Sequence, residues 1–232
     1  MVAQSIADGQ PVVIASLQYR VGALGFLATP DGARNLGLWD QRTGLQWVQR
    51  FIAGFGGDAA RVTVFGESAG GYAICCHMLG QVPLFRRAVV MSGVLGPGVV
   101  PVQEQEAGTA FEEVCGILGI RERGHAALDV LSAVPLERLV EAGDAWVARG
   151  NSWRPVVDAA FFAHEHITWD TVPSLLGSCA WVDALIVGNT AFEGTPYLTI
   201  AQGLTPQALS AHMRASLSPS AADAVLDAYA IT

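Results

Sequence analysis

The chain has 232 residues, of which 51% are hydrophobic and only 15% are charged, and its formal net charge at pH 7 is −8. This length corresponds to one domain with a substantial core, and the scattered Lys and Arg residues offer no footprint for nucleic acid or an anionic membrane. No apolar run reaches the roughly 20 residues that span a bilayer. Residues 1–5 lack the basic and apolar parts of a signal peptide, so we expect neither kind of segment.

Short apolar segments that alternate with helical patterns predict the order of the elements. Helical periodicity covers residues 38–52, extends from the second strand to about Leu79, and returns over 103–149, with a break at 134–135, and over 196–230. Strands that alternate with helices in this way predict an α/β fold with a mainly parallel sheet. Such a sheet is buried on both faces, which would account for the apolar excess. The predicted strands are residues 11–19, 62–65, 88–92 and 184–188.

A Gly-Glu-Ser-Ala-Gly sequence, residues 66–70, lies directly between the second predicted strand and a predicted helix. This is G-x-S-x-G in the strand–turn–helix context of a nucleophile elbow. A serine hydroxyl is a weak nucleophile, so a sharp turn must present it to a base. Gly66 and Gly70 are predicted to permit the turn because side chains there would collide with the neighbouring strand and helix. An ordinary Gly- and Ser-rich turn is the alternative interpretation.

The cysteines and histidines do not form the pattern of a metal site. His164-Glu165-His166 offers two ligand-type side chains with no third in view, so a solvated loop is favoured. His77 is predicted to be a helix residue, and His125 to lie in an exposed charged turn. We therefore expect no metal and no cofactor. Buried thiols without metal spacing or a disulfide framework are predicted for Cys75, Cys76, Cys115 and Cys179.

Seven blocks of the chain, in order, form a longer pattern around the elbow: residues 19–27, 35–41, 45–48, 55–58, 62–71, 85–93 and 154–158. These blocks resemble the type-B carboxylesterase family, which includes cholinesterases and several microbial lipases. The resemblance implies an α/β-hydrolase fold, that is, a mainly parallel sheet with flanking helices, and it makes residues 1–232 a partial type-B domain. It also implies a helical insertion, residues 97–150, over the sheet edge where active sites of such folds lie.

The same resemblance implies a catalytic triad in the chain order serine, acid, histidine. Ser68 takes the role of the nucleophile, and the backbone N–H of Ala69 contributes to the oxyanion hole. Residues 188–194 match the setting of the family's acid, so Glu193 is the implied acid, which would hold the imidazole in one tautomer. A solvated loop carboxylate is the alternative interpretation of Glu193.

Two parts of the family's pattern are not found in the sequence. The family's oxyanion glycines follow a histidine on a central strand shortly before the strand predicted at 12–19, and the base histidine lies well beyond the acid. Only His212 follows Glu193, and it falls within a helical pattern, so we expect a helix-face residue and not a base. The domain is therefore expected to be incomplete at both ends, without the central strand before residue 12 and without its base histidine.

The resemblance implies a carboxylic ester hydrolase that forms an acyl-enzyme and acts on a small-molecule ester. Without a base, we expect this chain alone to be nearly inactive. A catalytically dead binding or adhesion module is one alternative, although retention of Ser68 and Glu193 speaks against it; an acyltransferase or thioesterase on the same elbow is another. The neighbours of the missing strand must leave a gap or pair in a new register, and either outcome predicts self-association through the exposed sheet.

Overall fold

A computed structural model of the chain describes residues 1–96, 99–194 and 205–231. The chain divides into two compact units, Met1–Gly188 and Asn189–Thr232. Within the first unit, the described strands form one parallel sheet in the order β1-β2-β3. These strands confirm three of the four predicted ones, with ends shifted by no more than two residues. Their bounds are β1 (Thr63–Glu67), β2 (Arg87–Met91) and β3 (Ala184–Gly188).

The described helices divide between the two units. The predicted block 103–149 is helical, as expected, but divides into three helices. Residues 97–98 of the predicted insertion and residues 196–204 of the last predicted helical stretch lie outside the described residues. The first unit contains α1 (Val2–Ala7), α2 (Gly22–Phe26), α3 (Leu36–Phe51), α4 (Ala69–Leu79), α5 (Glu104–Ile117), α6 (Gly124–Ser132), α7 (Leu136–Val147) and α8 (Val172–Gly177). The second contains α9 (Pro206–Ser216) and α10 (Pro219–Ala228).

The main hydrophobic core lies on one face of the sheet, and α4 forms its centre. Because β1 and β2 are parallel, the connection between them must cross one face of the sheet, and α4 forms that connection. Most of α4 is buried, and the inward-facing Ala88 and Val90 of β2 are 1% and 0% exposed. Because α3 and α8 also contact α4, they join the core on that same side.

The opposite face of the sheet is exposed, so the expectation of a sheet buried on both faces is wrong for this structure. Phe65, Val89 and Ile186 lie side by side across the three strands. Phe65 is 51% exposed and Ile186 is 64% exposed. The physical reason is that α3, α4 and α8 share a single core, which leaves this apolar row without a cover among the described residues.

The predicted strand at residues 11–19 is also wrong. Val12, Val13 and Ile14 are exposed, and no backbone group of Val13–Tyr19 is hydrogen-bonded to any described residue. A strand needs a hydrogen-bonding neighbour, and β1 does not supply one here. The structure therefore leaves a gap and does not form a new register. The downstream end is held by the Arg20 guanidinium, which pairs with Asp40 at 2.6 Å, and the upstream end by the Val12 N–H, which donates to the Ser5 hydroxyl at 3.2 Å.

The helical block α5–α7 packs around α2 and forms a second, smaller core. A left-handed Gly119, with φ of 78°, ends the first of the three helices, and Pro135 precedes the third. The Trp146 indole N–H donates to the Glu113 carboxylate at 2.7 Å. The segment that leads from β2 into α5 is held by an isolated parallel bridge between Val102 and Val156. The buried members of this second core are Ala23, Leu27, Phe111, Val114, Cys115, Ala127, Leu131, Ala142 and Trp146.

Candidate active site

Ser68 occupies the turn between β1 and α4 in a conformation that non-glycine residues rarely adopt. Its φ is 50° and its ψ is −116°, and the residue is exposed. The Ser68 N–H donates to the Met91 carbonyl at 2.9 Å, and the Ser68 carbonyl accepts from the Tyr72 N–H at 3.0 Å. The turn is thus fixed by the neighbouring strand on one side and by the first turn of the helix on the other. This arrangement has the geometry of a nucleophile elbow.

The two glycines of the pentapeptide have different roles. A Cβ atom at Gly66 would lie 2.5 Å from the carbonyl carbon of Gly70, so only glycine fits there. A Cβ atom at Gly70 would meet nothing within 4 Å. The prediction is therefore confirmed for Gly66 and wrong for Gly70, because the helix that begins at Ala69 turns the Gly70 side-chain position away from the strand.

Gly93 is a residue of the turn that the motif does not reveal. It lies two residues after β2, where a Cβ atom would overlap the Ser68 carbonyl oxygen and lie 2.8 Å from the Ser68 carbonyl carbon. The preceding residue, Ser92, also has a positive φ of 50°, and its N–H donates to the Gly188 carbonyl at 2.8 Å. The only sequence signal for this contact is a second Ser-Gly pair at the end of a predicted strand.

The backbone N–H of Ala69 is available to an incoming anion. Ala69 is the first residue of α4 and is exposed, and its N–H donates to no described group. The first N–H groups of a helix have no partner inside the helix, and the aligned peptide dipoles make that end positive. Ser68 is thus followed directly by a free backbone donor, a group of the kind that can stabilise an oxyanion.

Glu193 follows the carboxyl end of β3 and belongs to the second compact unit. One Glu193 carboxylate oxygen accepts from the Thr190 N–H at 2.5 Å, and the Thr190 hydroxyl donates to the Phe192 carbonyl at 3.0 Å. The side chain is exposed within a compact turn, where the Phe192 ring packs over Gly194. Of the three predicted site residues, Ser68 and Ala69 are consecutive at the start of α4. Glu193 lies in the turn that follows β3, in the other compact unit.

His77 is a core residue of α4 and is only 5% exposed. Its Nε2 lies 3.0 Å from the Gln41 side-chain oxygen, and its ring packs against Phe161 with 5.5 Å between the ring centroids. Burial, with a smaller contribution from the Arg42 charge, lowers the pKa of His77 from 6.5 to about 3. The predicted helical placement is confirmed, and a neutral, buried imidazole of this kind is structural.

The remaining histidines are dispersed. His212 is exposed on α9, as the sequence predicts. His125 is exposed, as predicted, but it lies at the start of α6 and not in a turn, because the helix already begins at Gly124. His166 is exposed in its loop, whereas the Nε2 of His164 is buried without a partner in the described part of the chain. A solvated loop therefore describes His166 but not His164. No grouping of three or more metal-ligand side chains occurs among the described residues.

All four cysteines are buried free thiols, as predicted. Burial raises the pKa of each thiol above its usual range, so the thiolate is disfavoured. Cys75 and Cys76 lie in α4 within the main core. The thiols therefore behave as small apolar side chains and add no nucleophile to the site.

A surface cavity of about 360 Å³ lies elsewhere in the first unit, and its lining does not include Ser68. Its one carboxylate, Asp158, is already satisfied, since it accepts from the Asn35 side-chain amide and from the backbone N–H groups of Ala160 and Phe161. These bonds tie two loops together. The other charged lining residue, Arg34, donates to the Gly32 carbonyl and to the Glu104 carboxylate. The lining residues are Gly32, Ala33, Arg34, Leu36, Trp39, Asp158 and Ala160.

Sequence comparison places the chain among esterases and lipases. The sequence model of the family described as "Carboxylesterase family" matches residues 1–221. Lipase 4 of Diutina rugosa is 34% identical over 227 residues, which are 90% of this chain and 40% of the relative. A cholinesterase of Mus musculus is 50% identical over 93 residues, 38% of this chain and 15% of the relative. The chain thus spans less than half the length of these curated relatives.

Solved structures agree with this placement. A thermophilic PNB esterase is 28% identical, with a TM-score of 0.69, and the match covers 91% of this chain and 44% of that one. A second PNB esterase is 29% identical at the same TM-score and is covered to 46%. The α/β-hydrolase fold predicted from the sequence is thereby confirmed.

In the described part of the chain, no helix combines the length and the apolar character needed to cross a bilayer.

Proposed function

The chain belongs to the carboxylesterase family, and from this premise we propose that it carries the nucleophile of a carboxylic ester hydrolase. In this proposal Ser68 attacks the ester carbonyl and forms an acyl-enzyme, which water then hydrolyses. The Ala69 N–H donates to the oxyanion, and Glu193 is the acid of the triad. The substrate is a small-molecule carboxylic ester, and neither a cofactor nor a nucleic acid takes part.

One observation carries this proposal, namely the conformation of Ser68. A serine with φ of 50° and ψ of −116° is strained, and such strain persists only where the surroundings impose it. Here the surroundings are the Met91 carbonyl, the first turn of α4 and the close approach of Gly93. Ser92 also has a φ of 50°, but it is Ser68 that is followed directly by the N-terminus of α4 and by the free Ala69 N–H. The turn is therefore built to expose this hydroxyl.

We further propose that this chain alone hydrolyses esters at or near the background rate. No hydrogen bond joins the Ser68 hydroxyl to a histidine in the described part of the chain. In a serine protease, removal of the base histidine lowers turnover by roughly 10⁶. Loss of one oxyanion donor lowers turnover by roughly 10²–10³ more. The turn supplies a nucleophile and one donor, which is not sufficient for efficient turnover.

We propose that the helical segment 97–150 forms one side of the substrate-binding site. Its chain enters directly from the turn at Ser92 and Gly93, which packs on Ser68. Among the described residues of this segment, α5–α7 form their own core with α2 and do not depend on the sheet for burial. Such a block can vary in sequence while the turn remains fixed. We also propose that copies of the chain associate through the exposed sheet.

The experiment that tests this function is hydrolysis of a short aryl ester by the purified chain, with and without added imidazole. The matched variants are Ser68→Ala and Ser152→Ala, since Ser152 is an exposed serine outside the turn. We expect all three proteins to be near background alone. With imidazole as an external base, the chain and Ser152→Ala should exceed Ser68→Ala. Equal rates for all three in imidazole would contradict the role of Ser68, and efficient Ser68-dependent turnover without imidazole would contradict the near-inactivity.

A further inference from the structure

Two polar atoms beside the helical segment 97–150 are buried without a hydrogen-bond partner in the described part of the chain. They are the Tyr72 hydroxyl oxygen, on α4, and the Nε atom of Arg154, which comes just after the segment. A desolvated polar group without a partner costs free energy, so such atoms are rare in folded proteins and each requires an explanation. We call residues 99–102 and 154–157, which precede and follow the helices of the segment, its stem.

The two sides of the stem are joined by backbone hydrogen bonds. The Val102 N–H donates to the Pro155 carbonyl at 2.8 Å, and the Val157 N–H donates to the Val102 carbonyl at 2.8 Å. Val100 and Val157, one from each side, pack against the same main core as Tyr72. The two buried polar atoms therefore lie where α4 meets the stem.

The side chains of Tyr72 and Arg154 are close enough to influence each other. Burial raises the pKa of Tyr72 above its usual range, the neighbouring Cys76 raises it further, and the Arg154 charge lowers it. The Cys76 thiol, one helical turn along α4, is only a weak hydrogen-bonding group. A stronger partner for the hydroxyl must therefore come from the side of the stem, where Arg154 lies.

The charge of Arg154 is already balanced. One terminal nitrogen, Nη2, donates to the Glu106 carboxylate at the start of α5. The other, Nη1, lies 3.5 Å from the Val100 carbonyl, a long hydrogen bond that leaves this oxygen able to accept another. An anion here would add an unbalanced charge beside Glu106 in a buried place. The missing partner must therefore be neutral, and it must be able both to accept and to donate.

We propose that one ordered water molecule bridges α4 and the stem at this place. It accepts from Arg154 Nε, donates to the Val100 carbonyl and shares a hydrogen bond with the Tyr72 hydroxyl. Three polar partners are the usual number for an internal water. All of these groups belong to residues 72–154, so the bridge is formed within this stretch of the chain.

The bridge connects the helical segment with the Ser68 turn. The Tyr72 N–H donates to the Ser68 carbonyl at 3.0 Å, so Tyr72 lies one helical turn from the serine. The water thereby fixes the stem relative to the first turn of α4 without contact with the serine hydroxyl. The inference concerns this structural contact only, and it can fail or hold whether or not the chain hydrolyses esters.

Two conservative variants remove the side-chain partners of the water one at a time. Tyr72→Phe removes the hydroxyl and keeps the ring, whereas Arg154→Lys removes Nε and keeps the positive charge that faces Glu106. Tyr229→Phe and Arg149→Lys are the matched controls, since both of these residues are exposed.

The experiment measures the unfolding equilibrium constant in urea for the chain, the four single variants and the double variant of Tyr72→Phe with Arg154→Lys. Tyr72→Phe should raise this constant about tenfold, because the water and Arg154 Nε lose a shared partner. The controls should change it by less than about twofold. The double variant should raise it by less than the product of the two single effects, because both substitutions act on one bridge.

Amide hydrogen exchange locates the effect. The N–H groups of Val102 and Val157 should exchange faster in Tyr72→Phe than in the wild type, because the stem loses its connection to α4. The N–H groups of α7, which packs on α2, should exchange at the wild-type rate. Unchanged exchange at both Val102 and Val157 would contradict a bridge to the stem.

Three further outcomes would overturn the proposal. A Tyr72→Phe variant more stable than the wild type would show a hydroxyl that no partner satisfies, since removal of such a group is favourable. Single effects that multiply in the double variant would show that Tyr72 and Arg154 have separate partners. A crystal structure of the chain in which a protein group bonds to both atoms, with no water between them, would exclude the bridge.

Discussion

The sequence predicts a sharp turn at Ser68 and a buried strand at residues 11–19, yet only the turn forms as predicted. Strand β2, helix α4 and Gly93 all contact Ser68 and hold it in a strained conformation. At Val13–Tyr19, no backbone hydrogen bond forms with any described residue. The comparison teaches that each region depends on a neighbouring strand: the Ser68 turn has β2 beside it, whereas the segment has no hydrogen-bonding strand beside it among the described residues.

The largest expected effect concerns Gly93. Gly93→Ala would drive a methyl group into the Ser68 carbonyl, and because a backbone atom cannot move aside easily, the free energy of unfolding should fall by about 3 kcal/mol. The control is Gly108→Ala in α5, where a Cβ atom meets nothing within 4 Å and alanine favours the helix by about 0.5–1 kcal/mol. Urea unfolding measures both. Equal effects at the two positions would show that the turn is not tightly packed.

Acidification should lower the free energy of unfolding through His77, which lies in α4. His77 is neutral in the folded chain because burial lowers its pKa to about 3, whereas in the unfolded chain it takes up a proton near pH 6.5. The stability is therefore present above pH 6.5 and is lost as pH falls toward 3. The loss due to His77 should be about 2 kcal/mol between pH 7 and pH 5.

The control for this pH effect is His77→Gln, which keeps a donor facing Gln41 but does not titrate. Urea unfolding of both proteins from pH 7 to pH 4 gives the difference in their free energies of unfolding. As pH falls, the free energy of unfolding of the wild type should decrease relative to that of His77→Gln. A difference that does not change with pH would contradict a buried, neutral His77.

Within the segment, the two ends should respond differently. Leu17→Ala removes a side chain packed on α3 and should lower the free energy of unfolding by about 1–2 kcal/mol. Ile14→Ala removes an exposed side chain and should change it by less than about 0.5 kcal/mol in the monomer. Urea unfolding at low protein concentration compares them, with assembly suppressed. A large cost at Ile14 would mean that the segment is packed after all.

The smallest expected effect is at Gly70. Gly70→Ala meets no neighbouring atom and lies in the first turn of α4, so stability should change by less than about 1 kcal/mol and in the favourable direction. Gly66→Ala, its partner in the motif, should destabilise because its Cβ atom would lie 2.5 Å from a backbone carbon. If the two variants were equally destabilised in urea, the close approach would not be confined to Gly66.

Periodicity and motif context predict most of the fold, because they depend on neighbours in sequence. β3 is predicted to the residue, and α3 and α4 to within about two residues, since each carries its own pattern. The exposed sheet face and the unpaired segment at 11–19 could not be predicted from periodicity, because both depend on which elements come together in space.

The candidate site divides in the same way. Ser68 and Gly66 follow from the motif, because strand and helix are adjacent in sequence. Gly93 does not, because its contact with Ser68 joins residues that lie 25 positions apart and no local pattern marks it. The placement of Glu193 as the triad acid comes from the family resemblance, and it stays a prediction.

The most direct test of the central claim is the site of phosphonylation. After long incubation with a fluorophosphonate, tandem mass spectrometry should find the adduct on Ser68 in the folded chain, in excess over every other serine, and this preference should vanish in urea. The reason is that only the folded turn exposes this hydroxyl beside a free helix N–H. An adduct spread evenly over the serines, or the same preference in urea, would contradict a nucleophile built by the turn.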